Sequence, residues 1–137
     1  MTHSPTTAAS GLIRFRAANH LSISEEVELN LASAGDGGED GSDLRPASGA
    51  VRVAGVFGAN ASGKSNLLRS MHLMRESVRD SCNSWLGRDW RTGTPVPVQP
   101  FALDPDALDK TSLFEADLVA DGTRWSYGFA GRGQGGA

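Results

Sequence analysis

The sequence predicts an α/β fold made of one central strand, a glycine-rich loop and an amphipathic helix, flanked by antiparallel β-hairpins. Three observations predict it. Residues 51–57, VRVAGVF, are a β-prone run of the kind expected for a strand covered on both faces. Gly58, Ala59, Asn60, Ala61, Ser62, Gly63, Lys64 and Ser65 follow directly and fit the spacing G-x-x-x-x-G-K-[ST]. Leu67, Leu68, Met71, Met74 and Val78 then recur at helical spacing, and Cys82 and Trp85 extend the stripe. A helix is expected over 64–86, with Gly87 as its stop.

The loop spacing is that of a phosphate-binding P-loop, and its physics explains its residue types. Gly58 and Gly63 permit backbone angles and a close approach that a Cβ would block. The loop N–H groups and the positive end of the following helix then converge on an anion. Lys64 adds a mobile positive charge for the β- and γ-phosphates, and the Ser65 hydroxyl is suited to one Mg²⁺ position. Asn66, in the first turn of the helix, joins the residues assigned to the nucleotide. ATP and Mg²⁺ are therefore the expected ligands.

The remaining elements follow in chain order. Residues 1–11 are small and polar and read as a disordered lead-in to a domain over 12–130. Ile13, Phe15 and Ala17 alternate with Arg14 and Arg16, and Val27, Leu29 and Leu31 alternate with Glu26, Glu28 and Asn30. These two runs pair as a hairpin across 19–25, with the arginines facing the glutamates. Residues 33–49 hold little to bury and read as an acidic, glycine-rich solvated loop; the spacing of a calcium-binding EF-hand is absent. Pro95, Pro97 and Pro100 make 88–100 an extended connector rather than a P-x-x-P ligand, and Asp104-Pro105-Asp106 signals a turn. Asp121-Gly122 is a two-residue hairpin turn. Pairing outward from it sets Leu118 opposite Trp125, Ala116 opposite Tyr127 and Phe114 opposite Phe129, all on one face. Val119/Arg124, Asp117/Ser126 and Glu115/Gly128 share the other face. Residues 131–137 read as a disordered tail.

Composition narrows the function classes. The chain has 137 residues and net charge −3, and the 33–49 loop alone accounts for that imbalance. The rest is balanced, so no basic face points to DNA or RNA by charge. A single cysteine, Cys82, excludes an intrachain disulfide and fits a reducing cytoplasm. Neither a secretory leader nor an apolar run of membrane-spanning length is present, so no membrane role is expected.

Asn60 and Ser62 give G-x-N-x-S-G-K-S, which resembles the ATPase heads of the ABC, SMC and RecF type. The likeness extends beyond the loop. The Ile13-Arg14-Phe15 strand, Asn19 and the acid-rich second strand resemble the start of AAA/ABC-like ATP-binding proteins related to the OLD and SMC-like heads. So do Pro100-Phe101-Ala102-Leu103-Asp104, Phe114-Glu115 and Trp125-Ser126-Tyr127-Gly128-Phe129. One departure stands out. The family often has Asn-Phe-Arg-Ser after its first strand, and this chain has Asn19-His20-Leu21-Ser22. Leu21 thus replaces a basic residue that helps to seat nucleotide; His20 is a substitute on paper, but a histidine at a turn is more often a surface residue.

The resemblance implies an incomplete P-loop NTPase of the ABC-ATPase-like head type, the N-terminal portion of such a protein. Hydrolysis requires a Walker B acid after an apolar strand. The nearest match, Leu118-Val119-Ala120-Asp121, ends in the hairpin turn, and no signature of the L-S-G-G-Q kind is present. No complete catalytic set is therefore expected, and Lys64 serves to stabilise phosphate. The chain is expected to bind Mg-ATP, to be an ATPase by family yet inactive alone, and to be marginally stable with an incomplete core. A homodimer or a separate second half is the expected partner, and a DNA context is implied by resemblance only. The alternatives are a small-molecule or nucleotide kinase, for which acceptor and lid arginines are lacking, a non-catalytic subunit that binds a partner, and a decayed fragment.

Overall fold

The computed structural model describes residues 10–33, 49–85 and 98–132, with the backbone alone for 80–85. Its elements are β1 (Gly11–Ala18), β2 (Val27–Asn30), α1 (Lys64–Trp85), a 3-10 turn (Pro105–Leu108), β3 (Ser112–Ala120) and β4 (Thr123–Gly131). The expectations for the lead-in, for most of the 33–49 loop, for the connector over 88–97 and for the tail beyond Arg132 lie outside the described residues.

The two expected hairpins are parts of one four-stranded antiparallel sheet, ordered β2-β1-β3-β4. Their registers follow the side-chain alternation. Phe15 pairs with Leu29 and Ala17 with Val27 across the first hairpin. In the second, Leu118 faces Trp125, Ala116 faces Tyr127 and Phe114 faces Phe129, as the turn signal predicts. Asp121 and Gly122 both have positive φ, at 50° and 75°, which is the backbone of a type I′ turn.

The join between the hairpins comes from tertiary pairing. Ala17 lies opposite Phe114 and Phe15 opposite Ala116, so their shared apolar face is continuous. On the reverse face Arg16 meets Glu115 and Arg14 meets Asp117. A bulge between Leu12 and Arg14 turns Leu12 towards Leu118. Arg14 reaches Asp117 at 2.6 Å and Glu28 at 3.7 Å, while Arg16 pairs with Glu115 and, at 3.2 Å, with Glu26. The expected arginine–glutamate contacts within the hairpin are present, and β3 adds a second acidic row.

Helix α1 covers the apolar face. Leu67 and Met74 enter a core with Phe15, Ala17, Ile23, Val98, Phe114 and Ala116. The buried stripe is rotated from the expected one. Ser70 is fully buried, and Leu68 and Val78 are exposed. Ser70 tolerates this because its hydroxyl donates to the Asn66 carbonyl at 2.8 Å.

The central strand expected over 51–57 does not form. The chain follows the sheet only as far as the Ala32–Ala50 bridge and the bond from Val51 N to Leu31 O at 2.8 Å. Residues 51–60 are then all exposed, with Val53 at 88% and Phe57 at 93% of their maximal area. A strand is held by its ladder, and β-propensity alone does not hold one. The four strands described pair with each other and present no parallel neighbour to this run. The fold is therefore mixed α/β with an antiparallel sheet, and the strand–loop–helix unit is represented by its loop and helix.

Candidate functional site

The site is built where the 58–65 loop enters α1. Ser62 N donates to Ala59 O at 3.2 Å, closing a turn in which Ala61 has φ 63°. Gly63 has φ +90°, an angle that disfavours any side chain, and starts the helix by accepting from Asn66 N and Leu67 N. Gly58 leaves room for the Ser62 side chain. A Cβ there would lie 2.8 Å from Ser62 Oγ.

Lys64 folds back over this loop. Its ammonium donates to Gly58 O at 2.9 Å and Ala59 O at 2.5 Å, and more loosely to Ser62 Oγ at 3.3 Å. An ammonium has three donors. Two are held firmly by carbonyls, which fixes the charge at the mouth of the loop; the third is only loosely engaged and can turn to an anion. Ser65 is exposed at the first turn of the helix. No group of three or more His, Cys, Asp or Glu that could hold a metal exists among the described residues.

The turn after β1 is locked against this loop. Asn66 Nδ2 donates to Ser22 Oγ at 2.6 Å, and the same hydroxyl lies 3.4 Å from where a Gly63 Cβ would stand. Asn19 holds the turn from behind. Its amide donates to Ala107 O and Lys110 O at 2.9 and 3.0 Å and accepts from Phe101 N at 3.0 Å; its own carbonyl accepts from Ser112 Oγ. Leu21, with φ 54°, sits in the left-handed region and is held there by its N–H on Gln99 O at 2.8 Å.

The turn, α1 and residues 99–103 border an open surface depression of about 390 Å³, with Leu21, Ser22, Asn66 and Arg69 among its lining residues. Sequence reasoning missed this depression. Ser22 and Asn66 are 44 positions apart, and no spacing rule relates them.

His20 corrects another expectation. It is 4% exposed and packs edge-on against Phe114, with ring centroids 5.0 Å apart, so it is a core residue and not a surface one. Its Nδ1 has no hydrogen-bond partner among the described residues. Burial holds its pKa below the ordinary histidine value, against a smaller opposing pull from the Gln99 backbone.

A glycine loop with a folded-back lysine, feeding a helix packed on a sheet, defines a P-loop NTPase-like domain. The family model described as "AAA domain, putative AbiEii toxin, Type IV TA system" matches residues 53–135, and the chain belongs to that family. The match begins beyond β1 and β2 and takes in the loop, α1, β3 and β4. No curated protein and no solved structure matches the chain. No helix among the described residues is long and apolar enough to cross a membrane.

Proposed function

We propose that the chain binds Mg-ATP through Gly58, Ala59, Asn60, Ala61, Ser62, Gly63, Lys64, Ser65 and Asn66. The observation that carries this reading is the Lys64 ammonium, fixed on two loop carbonyls with one donor loosely engaged. Lys64 would hold the β- and γ-phosphates, and the Ser65 hydroxyl would take one position on the cation. Asn66, pinned by Ser22, keeps the first helical turn in place against the loop. Mg²⁺ would neutralise phosphate charge when bound.

The finer assignment is to an ABC/SMC-like head whose hydrolysis depends on an acid and a signature segment from another part or another chain. Titration calorimetry with Mg-ATP tests the binding. Saturable binding lost in Lys64→Ala supports it, and equal heats from both proteins overturn it. Turnover by the purified chain that vanishes in Lys64→Ala would sink the claim that hydrolysis needs a second half.

A second reading is favoured by the exposure of Val53 and Phe57. In it the chain is a subunit whose partner, a second copy or a complementary half, supplies strands beside 51–57. Light scattering with and without Mg-ATP tests this; a mass that stays at one chain throughout excludes the second copy. A cytoplasmic location is proposed on the single cysteine.

A further inference from the structure

We propose that His20 makes the 58–65 loop sensitive to pH, its protonation releasing the turn after β1 from α1 and so weakening the hold on phosphate; this rests on the nucleotide-binding reading above.

His20 combines burial with an open proton site. Its ring stands edge-on to Phe114, which is fully buried. The imidazole donates to the Gln99 backbone, and Nδ1 has no partner among the described residues. A neutral ring with its hydrogen on Nε2 satisfies this arrangement, because only a lone pair is then left at Nδ1. Protonation adds a charge and an N–H where no acceptor stands, and apolar surroundings penalise both.

The ionisable groups on the surrounding elements are engaged elsewhere. On β3, Glu115 and Asp117 pair with Arg16 and Arg14 of β1 on the reverse face of the sheet. Past the turn, Glu25 is exposed and Glu26 pairs with Arg16. On α1, Lys64 lies on the loop carbonyls, Arg69 bonds Asn66, Glu76 pairs with Arg75 and Arg79, and His72 is exposed. Near the 3-10 turn, Asp104 pairs with Lys110, while Asp106 and Asp109 are exposed. A charged His20 ring therefore has to move towards water.

The turn decides what moves with it. His20 and Ile23 bond each other reciprocally, N to O at 2.9 and 2.8 Å, and Asn19 is clamped behind them. Leu21 and Ser22 form the tip. Leu21 keeps its left-handed angle through its N–H on Gln99 O, and Ser22 Oγ accepts from Asn66 at 2.6 Å. Lifting the ring off Phe114 draws this tip away from Gln99 and Asn66 together. Asn66 and Gly63 then lose the hydroxyl beside them, at the point where the loop enters α1. The ligand favours the locked turn and the proton the released one, so affinity falls as pH falls. By reciprocity, bound nucleotide makes His20 harder to protonate.

Calorimetry with Mg-ATP on the full chain at about pH 7.5 and about pH 5.5, either side of the histidine range, tests this. Over that interval wild-type affinity should fall roughly threefold further than that of His20→Phe, within the ceiling of about tenfold per pH unit that one proton sets. The comparison cancels the titration of the ligand itself. At about pH 7.5 the two proteins should bind within about twofold of each other. Ser22→Ala, at an exposed position, cuts the link to Asn66 and should narrow the wild-type fall in the same direction. Circular dichroism at both pH values reports folding, and Ser22→Ala carries the comparison if His20→Phe does not fold. NMR titration of the wild-type imidazole gives an independent readout: Mg-ATP should move the His20 midpoint to lower pH. Equal falls in the wild type and the folded variants, or a midpoint that Mg-ATP leaves in place, overturn the inference and leave the loop reading intact. A wild type that binds no Mg-ATP at the higher pH overturns the loop reading and this inference with it.

Discussion

At the scale of single residues, the proposed site rests on a few side chains, Lys64 first among them. Lys64→Ala removes the one ammonium on the loop carbonyls, and should lower Mg-ATP affinity by roughly 100-fold, the equivalent of about 3 kcal/mol for a charge-assisted contact. Asn19 is a structural counterpart. Asn19→Ala leaves Ala107 O, Lys110 O and Phe101 N without their side-chain partner. Urea unfolding should show a loss of roughly 2–3 kcal/mol, since the hydrogen bonds go and the positive φ of position 19 is retained. His20 predicts a pH dependence. Its folded pKa lies below its unfolded one, so below about pH 6.5 the unfolded chain binds more protons and stability falls as pH falls. The thermal midpoint should be flat above that pH and decline from about 6.5 towards 5, and His20→Phe should remove this part of the decline. A second decline belongs to the aspartates. A hydrogen bond from Ser126, then the charges of Arg14 and Arg124, hold the Asp117 carboxyl below its usual range. Asp104 is held low by Lys110 and by the Asp106 N–H. Both contribute stability above about pH 4 that is lost as pH falls through their folded values.

At the scale of elements, the hairpin and the helix differ in what holds them. The β3–β4 turn is a local device. Gly122 has φ +75°, and a Cβ there would meet nothing within 4 Å. Gly122→Ala therefore isolates the cost of the left-handed backbone, and should destabilise by roughly 1–2 kcal/mol in denaturant titration with the register kept. Helix α1 is held by its contacts with the sheet. Met74 is 6% exposed among sheet side chains, and Met74→Ala should lose roughly 2–5 kcal/mol, far more than Leu68→Ala on the exposed side. The hairpin register was legible because two-residue periodicity and a D-G turn reinforce each other within eighteen or so residues. The rotation of the helical stripe was not. Leu67, Leu68, Met71 and Met74 fit more than one helical face, and the sheet chose the one that buries Ser70.

At the scale of the whole molecule, among the described residues helix α1 covers one face of the sheet and several apolar side chains stay exposed. Trp125, on the edge strand β4, is 58% exposed although it belongs to the core-facing row of its hairpin. Stability should accordingly depend on ligand. Mg-ATP at about 100 times its dissociation constant adds roughly 2.7 kcal/mol, and should raise the thermal midpoint by on the order of 10 °C. Lys64→Ala should abolish that shift, and scanning fluorimetry reads both.

The sequence by itself determined the P-loop, the extent of the helix that follows it and the register of the last hairpin. Each is specified by residues close together in the chain, where glycine angles, a turn dipeptide or a short period suffice. Only the tertiary structure decided that the two hairpins form one sheet, that His20 is a core residue, and that 51–57 lies outside the ladder. It also placed Ser22 on Asn66 beside the loop. Those outcomes depend on partners 40 to 100 positions away, such as Ser22 to Asn66 at 44 and Arg16 to Glu115 at 99, and β-propensity or local pattern carries no record of which distant strand will be present to pair.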